Sequence, residues 1–286
     1  MYRYLIALIL IFTHSVQSTE TRVKDTIFWF EFDSPPYYVN TSQTKQLGLG
    51  QLLSVQFQKS LPDYQHKVVR GNFVRALKQI QSQDNLCIAS LVKSNVSQDH
   101  FYFSQAIIHI LPNGLTVNNK QYNTYHPFVT DGVIDLEKLL TLGQFRLGTL
   151  KGRPYGPFID DMLNKVDPRK RIIRLGGASK VVNLMDMLLK RNQVDGIIGD
   201  PAEFKYFSSL NRLKEDALSY FLIKGDMQLS PLYVGCSRSA KGKKIIDKIS
   251  HALSHNDLAV YQQWYLDLLP EQAKKRYFQI RKSGPQ

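Results

Sequence analysis

The reading turns on residues 86–107, LCIASLVKSNVSQDHFYFSQAI. This stretch opens as an apolar run, Leu86-Cys87-Ile88-Ala89-Ser90-Leu91-Val92, too short for a comfortable helix and rich in branched residues, which predicts a buried strand. The chain turns polar at Lys93-Ser94-Asn95 and closes with Phe101-Tyr102-Phe103-Ser104. In open α/β sheets, ligands bind beyond the carboxyl ends of strands, where side chains leave the core for a crevice. A buried strand leading into Ser90, Lys93 and Ser94 has the composition of one edge of such a crevice.

Upstream, residues 25–32 (DTIFWFEF) read as a strand that runs into Asp33-Ser34-Pro35-Pro36-Tyr37-Tyr38. The two prolines force a turn and place Tyr37 and Tyr38 at the strand's exit. Residues 48–61 read as a helix, with Leu49, Leu52, Leu53, Phe57 and Leu61 on one side and Pro62 as the stop. Gly48-Leu49-Gly50 matches two glycines of a dinucleotide fingerprint, but Leu53 occupies the third position and no tight strand–turn–helix precedes it. Residues 66–69 form a short strand, and Asn72 caps a helix that turns Phe73, Ala76, Leu77 and Ile80 inward. Arg75 in its first turn opposes the helix dipole, which points to a ligand anion or a neighbouring carboxylate. Downstream, residues 107–117 carry a Pro112-Asn113-Gly114 turn.

From about Asn118 the pattern restarts. Strands at 145–150, 171–175 and 194–199 alternate with helices at 157–166, 179–189 and 202–210. The links are short: Gly152-Arg153-Pro154-Tyr155-Gly156 before Pro157, and Asp200-Pro201 after the third strand. Two more strands, 218–223 and 231–236, precede helices at 243–254 and 257–269. The result is two similar α/β lobes, each a mixed sheet flanked by helices, and the cleft between them is the default ligand site. The tail from Glu271 is basic and expected to be loosely held.

Met1-Tyr2-Arg3, the apolar run 4–12 and Val16-Gln17-Ser18 read as a secretory leader cleaved after Ser18. Nine apolar residues fall short of the ~20 that span a bilayer. No cysteine lies near the cleavage site, which argues against a lipid anchor, so the mature chain is expected to be soluble and exported. The formal charge is +13, carried by solvated runs at 165–174, 241–248 and 274–282. No nucleic-acid motif accompanies them; anionic ligands or an anionic membrane surface remain open partners. Cys87 and Cys236 either pair in the oxidising compartment or lie as buried free thiols. Neither has a metal ligand at recognisable spacing, and His251 and His255, four apart, fit a solvated helix face. G-x-S-x-G and H-E-x-x-H are absent, and neither a cofactor nor a catalytic constellation is expected.

Together these features resemble the bacterial extracellular solute-binding proteins of family 3, amino-acid-binding proteins with a two-lobed type II periplasmic binding fold. The matching motifs are Asp33-Ser34-Pro35-Pro36-Tyr37; Lys93-Ser94 with Phe103-Ser104; the turn beginning at Gly152; and Val194-Asp195-Gly196-Ile197-Ile198-Gly199-Asp200. The segment 49–93 looks closest to an uncharacterised proteobacterial branch. The resemblance implies a first lobe of residues 19–117 plus 230–270, an inserted second lobe of 118–229, and a tail of 271–286. Two crossover hinge strands, near 115–118 and 225–232, would join the lobes and let them close on a small polar solute. It also implies that the strand returning from the second lobe brings Cys236 beside Cys87. Tyr37 then matches the aromatic lining the first-lobe side, Ser90 and Ser94 the hydroxyl and backbone contacts, and Asp200 the carboxylate that pairs with an ammonium. Arg153 stands beside the second-lobe anion turn, with Tyr155 next to it; Asp33, Arg75 and Lys93 complete the candidate ligand set. The family's carboxylate-clamping arginine is Ser97 here, so Arg75, Lys93 or Arg153 would have to act from another direction. The implied role is monomeric delivery of an amino-acid-like, anionic or zwitterionic solute to an ABC-type permease. The alternatives are a ligand sensor docking on a membrane receptor, or a dehydratase-like enzyme with Asp200 or Glu203 as general acid.

Overall fold

A computed structural model describes residues 24–32, 34–40, 46–93, 95–142, 144–166, 171–176, 180–214, 216–255 and 258–283. In chain order the strands are β1 (Thr26–Phe32), β2 (Gln65–Gly71), β3 (Leu86–Val92), β4 (Phe101–Phe103), β5 (Ile108–Ile110), β6 (Gly114–Asn118), β7 (Val129–Thr130), β8 (Val133–Ile134), β9 (Leu147–Leu150), β10 (Ile172–Leu175), β11 (Gly196–Gly199), β12 (Leu218–Ile223) and β13 (Ser230–Ser237). The helices are α1 (Leu49–Ser60), α2 (Phe73–Ser82), α3 (Asn95–His100), α4 (Tyr122–Tyr125), α5 (Leu136–Leu142), α6 (Pro157–Lys165), α7 (Lys180–Leu189), α8 (Pro201–Leu210), α9 (Ala240–Ser254), α10 (Leu258–Leu268) and α11 (Glu271–Ser283).

The first lobe is built on a sheet ordered β2-β1-β3-β13-β4, with β5 also pairing β13. β1 runs parallel to β2 and β3, and β13 returns antiparallel to β3, β4 and β5. The strand read first, β3, is buried at every position except Val92, as an interior strand covered on both faces must be. Its side chains alternate between two cores. Cys87 and Ala89 join Ile27, Trp29, Leu53 and Phe57 on the α1 face, while Leu86 and Ile88 join Phe30, Ala76 and Ile80 on the α2 face. The second lobe carries the sheet β10-β9-β11-β6-β12-β8-β7, parallel from β10 to β11 and antiparallel on both sides of β6.

Three expectations change. The segment expected as the first hinge, 115–118, is the interior of β6, every residue of it buried between β11 and β12. The chain crosses instead at 111–113, where Pro112 interrupts the pairing, so 114–117 belong to the second sheet. The return crossing is 224–229, with Gly225 at φ 96°; the expected second hinge overlaps it, but 230–232 already pair in β13. Third, the tail expected to be loose forms α11, with Ala273 and Tyr277 buried and Tyr277 against Tyr265 of α10. Alanine, tyrosine and isoleucine at 273, 277 and 280 give that helix an apolar stripe despite its charge. α10 packs on α1 and β5 of one lobe and α8 of the other, and α11 packs on β12. Cys87 and Cys236, register partners in β3 and β13, are joined in a disulfide.

The loop 34–40, which carries Tyr37, is docked on the start of α1. The carbonyls of Pro36 and Tyr37 accept the Leu49 and Gly50 amides at 3.2 and 2.8 Å, satisfying donors that a helix N-terminus leaves free. The approach needs both glycines: a Cβ at Gly48 would meet the Tyr37 carbonyl at 2.4 Å, and one at Gly50 the Tyr38 ring at 2.4 Å. The partial nucleotide fingerprint is therefore a packing requirement. Gln51 locks the arrangement. Its Oε1 accepts the Val39 and Gly48 amides at 3.2 and 2.9 Å, and its Nε2 donates to the Val39 carbonyl at 3.1 Å and to Glu31 at 3.2 Å. We predict that Gln51→Leu lowers the unfolding free energy by about 2–3 kcal/mol, because buried donors and acceptors lose their partners. Urea titration checks this; an unchanged midpoint would mean the network contributes nothing.

Candidate interlobe site

The two lobes meet where β11 ends. Asp200 caps α8 by accepting the Ala202 amide on Oδ1 at 2.7 Å, and Glu203 completes the capping box by accepting the Asp200 amide at 3.4 Å. Pro201, at the first helical position, fixes the turn. The other oxygen of Asp200 faces the opposite lobe and accepts the Tyr37 hydroxyl at 2.6 Å. Arg153, on the turn between β9 and α6, places its Nη1 at 2.9 Å from both oxygens of Glu203. Its guanidinium lies 5.6 Å from the Tyr155 ring centre. Tyr155 is itself fixed, accepting the Leu150 amide at 2.7 Å while its carbonyl accepts Asn113 of the crossing at 3.0 Å.

Two further tyrosines hold the same crossing. Tyr265 of α10 accepts the Leu111 amide at 2.8 Å, and Tyr220 of β12 donates to the Pro112 carbonyl at 2.9 Å. Asp200 and Glu203 are both more than nine-tenths buried. Burial, then the Glu203 charge, pushes the Asp200 carboxyl up from 3.8 to about 6, against the bonds from Tyr37 and Ala202 and the attraction of Arg153. Burial and then Asp200 push Tyr37 well above the ordinary phenol range, and Tyr220 and Tyr265 shift the same way for the same two reasons. Tyr37 therefore stays a neutral hydroxyl that donates to a buried carboxylate.

Of the residues proposed from the sequence, Tyr37, Arg153, Tyr155 and Asp200 come together here. Ser90 is buried inside the first lobe, with its hydroxyl donated to Tyr38 at 3.0 Å. Lys93 is exposed at the end of β3, its ammonium 4.0 Å from the Tyr233 ring centre and 5.4 Å from that of Phe103. Arg75 is exposed; its backbone amide donates to the Asn72 cap at 2.8 Å, and among the described residues it forms no ion pair, so of its two candidate partners, a ligand anion or a neighbouring carboxylate, the second is not found there. Asp33 and Ser94 lie outside the described residues. Ser97 is buried and donates to the Val92 carbonyl at 3.3 Å. Sequence reading gave Glu203 only as an alternative acid and missed Tyr220 and Tyr265. The Asp-Pro-x-Glu order of a capping box was the signal for Glu203; nothing local marks the tyrosines, which arrive from β12 and α10. The rings of His251 and His255 lie 4.5 Å apart, tilted by 40°, exposed at the end of α9, and among the described residues no group of three His, Cys, Asp or Glu can hold a metal ion. Surface cavities of about 550 and 390 Å³ lie elsewhere, beside α9 and beside β7–β8.

Solved structures share the fold. A substrate-binding protein of an amino acid ABC transporter, AbpA from Streptococcus pneumoniae, determined bound to L-arginine, superposes with a TM-score of 0.58 at 18% identity over 88% of this chain and 95% of its own. GshT of Streptococcus mutans, described in glutathione import, gives 0.65 at 12% over 88% and 100%. A histidine kinase sensor domain similar to periplasmic binding proteins gives 0.62 at 12% over 87% and 97%.

The fold is that of the two-lobed periplasmic binding proteins.

No protein-family model and no curated protein matches the chain. In this fold the Tyr37–Asp200 contact spans the interlobe cleft at the carboxyl ends of β1 and β11, where ligands of open α/β sheets are expected.

Proposed function

We propose that the chain is an exported, monomeric solute-binding protein whose lobes close on a small polar, amino-acid-like solute for ABC-type uptake. The observation that carries this reading is the bond between Tyr37 of one lobe and Asp200 of the other, beside the half-buried Arg153 paired with the buried Glu203. Asp200 offers a carboxylate to an ammonium group, and Tyr37 and Tyr155 offer ring surface. With serine at 97, the acid end of a zwitterionic solute falls to Lys93 or Arg153, and the placement within an uncharacterised proteobacterial branch is part of the same proposal. A sensor role is the second reading, favoured by the likeness to a histidine kinase sensor domain and to the VFT2 domain of Bordetella pertussis BvgS, with a TM-score of 0.60 at 9% identity. Both readings share one binding step.

The test is to denature the purified protein, identify the released small molecules by mass spectrometry, and return each to the refolded chain in a thermal-shift assay. A released amine or amino acid that raises the melting temperature is the expected result, since a ligand bound only to the folded state stabilises it. No stabilising compound among those released would overturn the proposal.

Asp200 also sets a pH dependence. With its carboxyl raised from 3.8 to about 6, the folded state holds more protons than the unfolded one between those values, so this group's contribution to stability is full below 3.8 and is lost as pH rises through about 6. A solute ammonium has the opposite dependence, because below about 6 it must displace a proton. Its affinity is predicted to rise up to about tenfold per pH unit toward 6 and then level off. Calorimetric titration across that range measures it; a flat profile would remove Asp200 from the binding step.

A further inference from the structure

The closing helix α11 is seated by one face and displays the other. Ala273 and Tyr277 are buried and Ile280 packs on the same core, so with 3.6 residues per turn Lys275, Phe278 and Lys282 fall on the outer side, with Lys274 and Arg281 on its flank, Arg281 bonded to Tyr277. Lys275, Phe278, Arg281 and Lys282 are exposed, Phe278 by 44%. Lys274 pairs with Glu271 at 2.7 Å, and among the described residues the other three cations form no ion pair. Phe278 stands among these cations with its ring edge-on to Tyr277 at 5.4 Å between centres. The face is the outside of a single helix, and neither of the two cavities described above includes an α11 residue. A surface of headgroup phosphates answers spaced cations without shape complementarity, and an aromatic ring between them can enter the interface. The +13 formal charge of the chain acts in the same direction.

We propose that this face of α11 docks the protein on anionic lipid headgroups. Among the described residues no helix is long and apolar enough to cross a membrane, so the attachment is peripheral and weakened by salt. It is independent of the solute and of the cleft. The test is co-sedimentation of the full chain with sucrose-loaded vesicles of phosphatidylcholine alone or mixed with phosphatidylglycerol, at low and high salt. Binding to the mixed vesicles alone, released by high salt, is expected. Each cation removed should weaken it about fivefold, so Lys275→Glu with Lys282→Glu should weaken it at least about twentyfold. Phe278→Ser, which leaves every charge in place, should weaken it several-fold; both variants should melt like the parent, since these side chains are exposed. Sedimentation with neither vesicle, equal sedimentation with both, or full binding by folded charge-reversed protein would overturn the proposal.

Discussion

Reducing the Cys87–Cys236 bond, or replacing both cysteines by alanine, is expected to lower the unfolding free energy by about 2–5 kcal/mol. The bond joins β3, the last long strand before the chain leaves the first sheet, to β13, the strand on which it returns. The partners are 149 residues apart, with the whole second lobe between them. Without the bond, β13 must find its place between β3 and β4 from an unfolded chain with every intervening conformation open to it. Loop-closure entropy puts that difference near 5 kcal/mol, an upper bound because unfolded chains retain structure. The effect should fall on the first lobe. Both tryptophans, Trp29 of β1 and Trp264 of α10, pack against the core that the first lobe shares with α8 and β12, so their fluorescence reports its loss. Urea titrations followed by fluorescence should show a large midpoint shift on reduction; coincident curves would mean the sheet closes as readily without the bond.

Arg153→Met is the second change with a large expected effect. It leaves Glu203 buried beside Asp200, two carboxylates at one helix start with no cation between them. Removing one partner of a buried pair costs about 3–5 kcal/mol; with the Arg153 side chain 27% exposed, we expect about 2–4 kcal/mol at neutral pH. The Arg153 charge now lowers the Asp200 pKa, so the variant's Asp200 should titrate higher still, and its stability should recover as the medium is acidified through that range. Adding Glu203→Gln removes the orphaned charge and should restore much of the loss. A double-mutant cycle measures the coupling, and additive effects would show that the two side chains do not interact in solution.

What the sequence revealed follows from how locally each feature is encoded. β3 was legible because an interior strand covered on both faces needs a near-continuous apolar run, and LCIASLV, broken only by Ser90, supplies it. Asp200 was legible because it ends a buried strand and starts a helix through Pro201. The first crossing was misplaced because nothing local in GLTVN marks which sheet β6 joins, and only its pairing with β11 and β12 assigns it to the second sheet. α11 was hidden by its charge: three buried or half-buried positions seat it among many exposed lysines and arginines. Gly48 and Gly50 gave a partial motif whose cause, the close approach of the loop carrying Tyr37, exists only in the folded chain. Ser90 shows the limit of motif transfer, since one intervening side chain, Tyr38, takes up its hydroxyl.

The central claim is that two lobes of one chain close on a solute with Tyr37 meeting Asp200 across the cleft. Its most direct measurement is the distance distribution between spin labels at Lys78→Cys in the first lobe and Lys190→Cys in the second, compared for protein as purified and after denaturation and refolding. The account predicts one short distance for the solute-carrying material, and a longer or broader distribution after refolding that narrows again when the released solute is returned. An identical single distance in all three samples would contradict it.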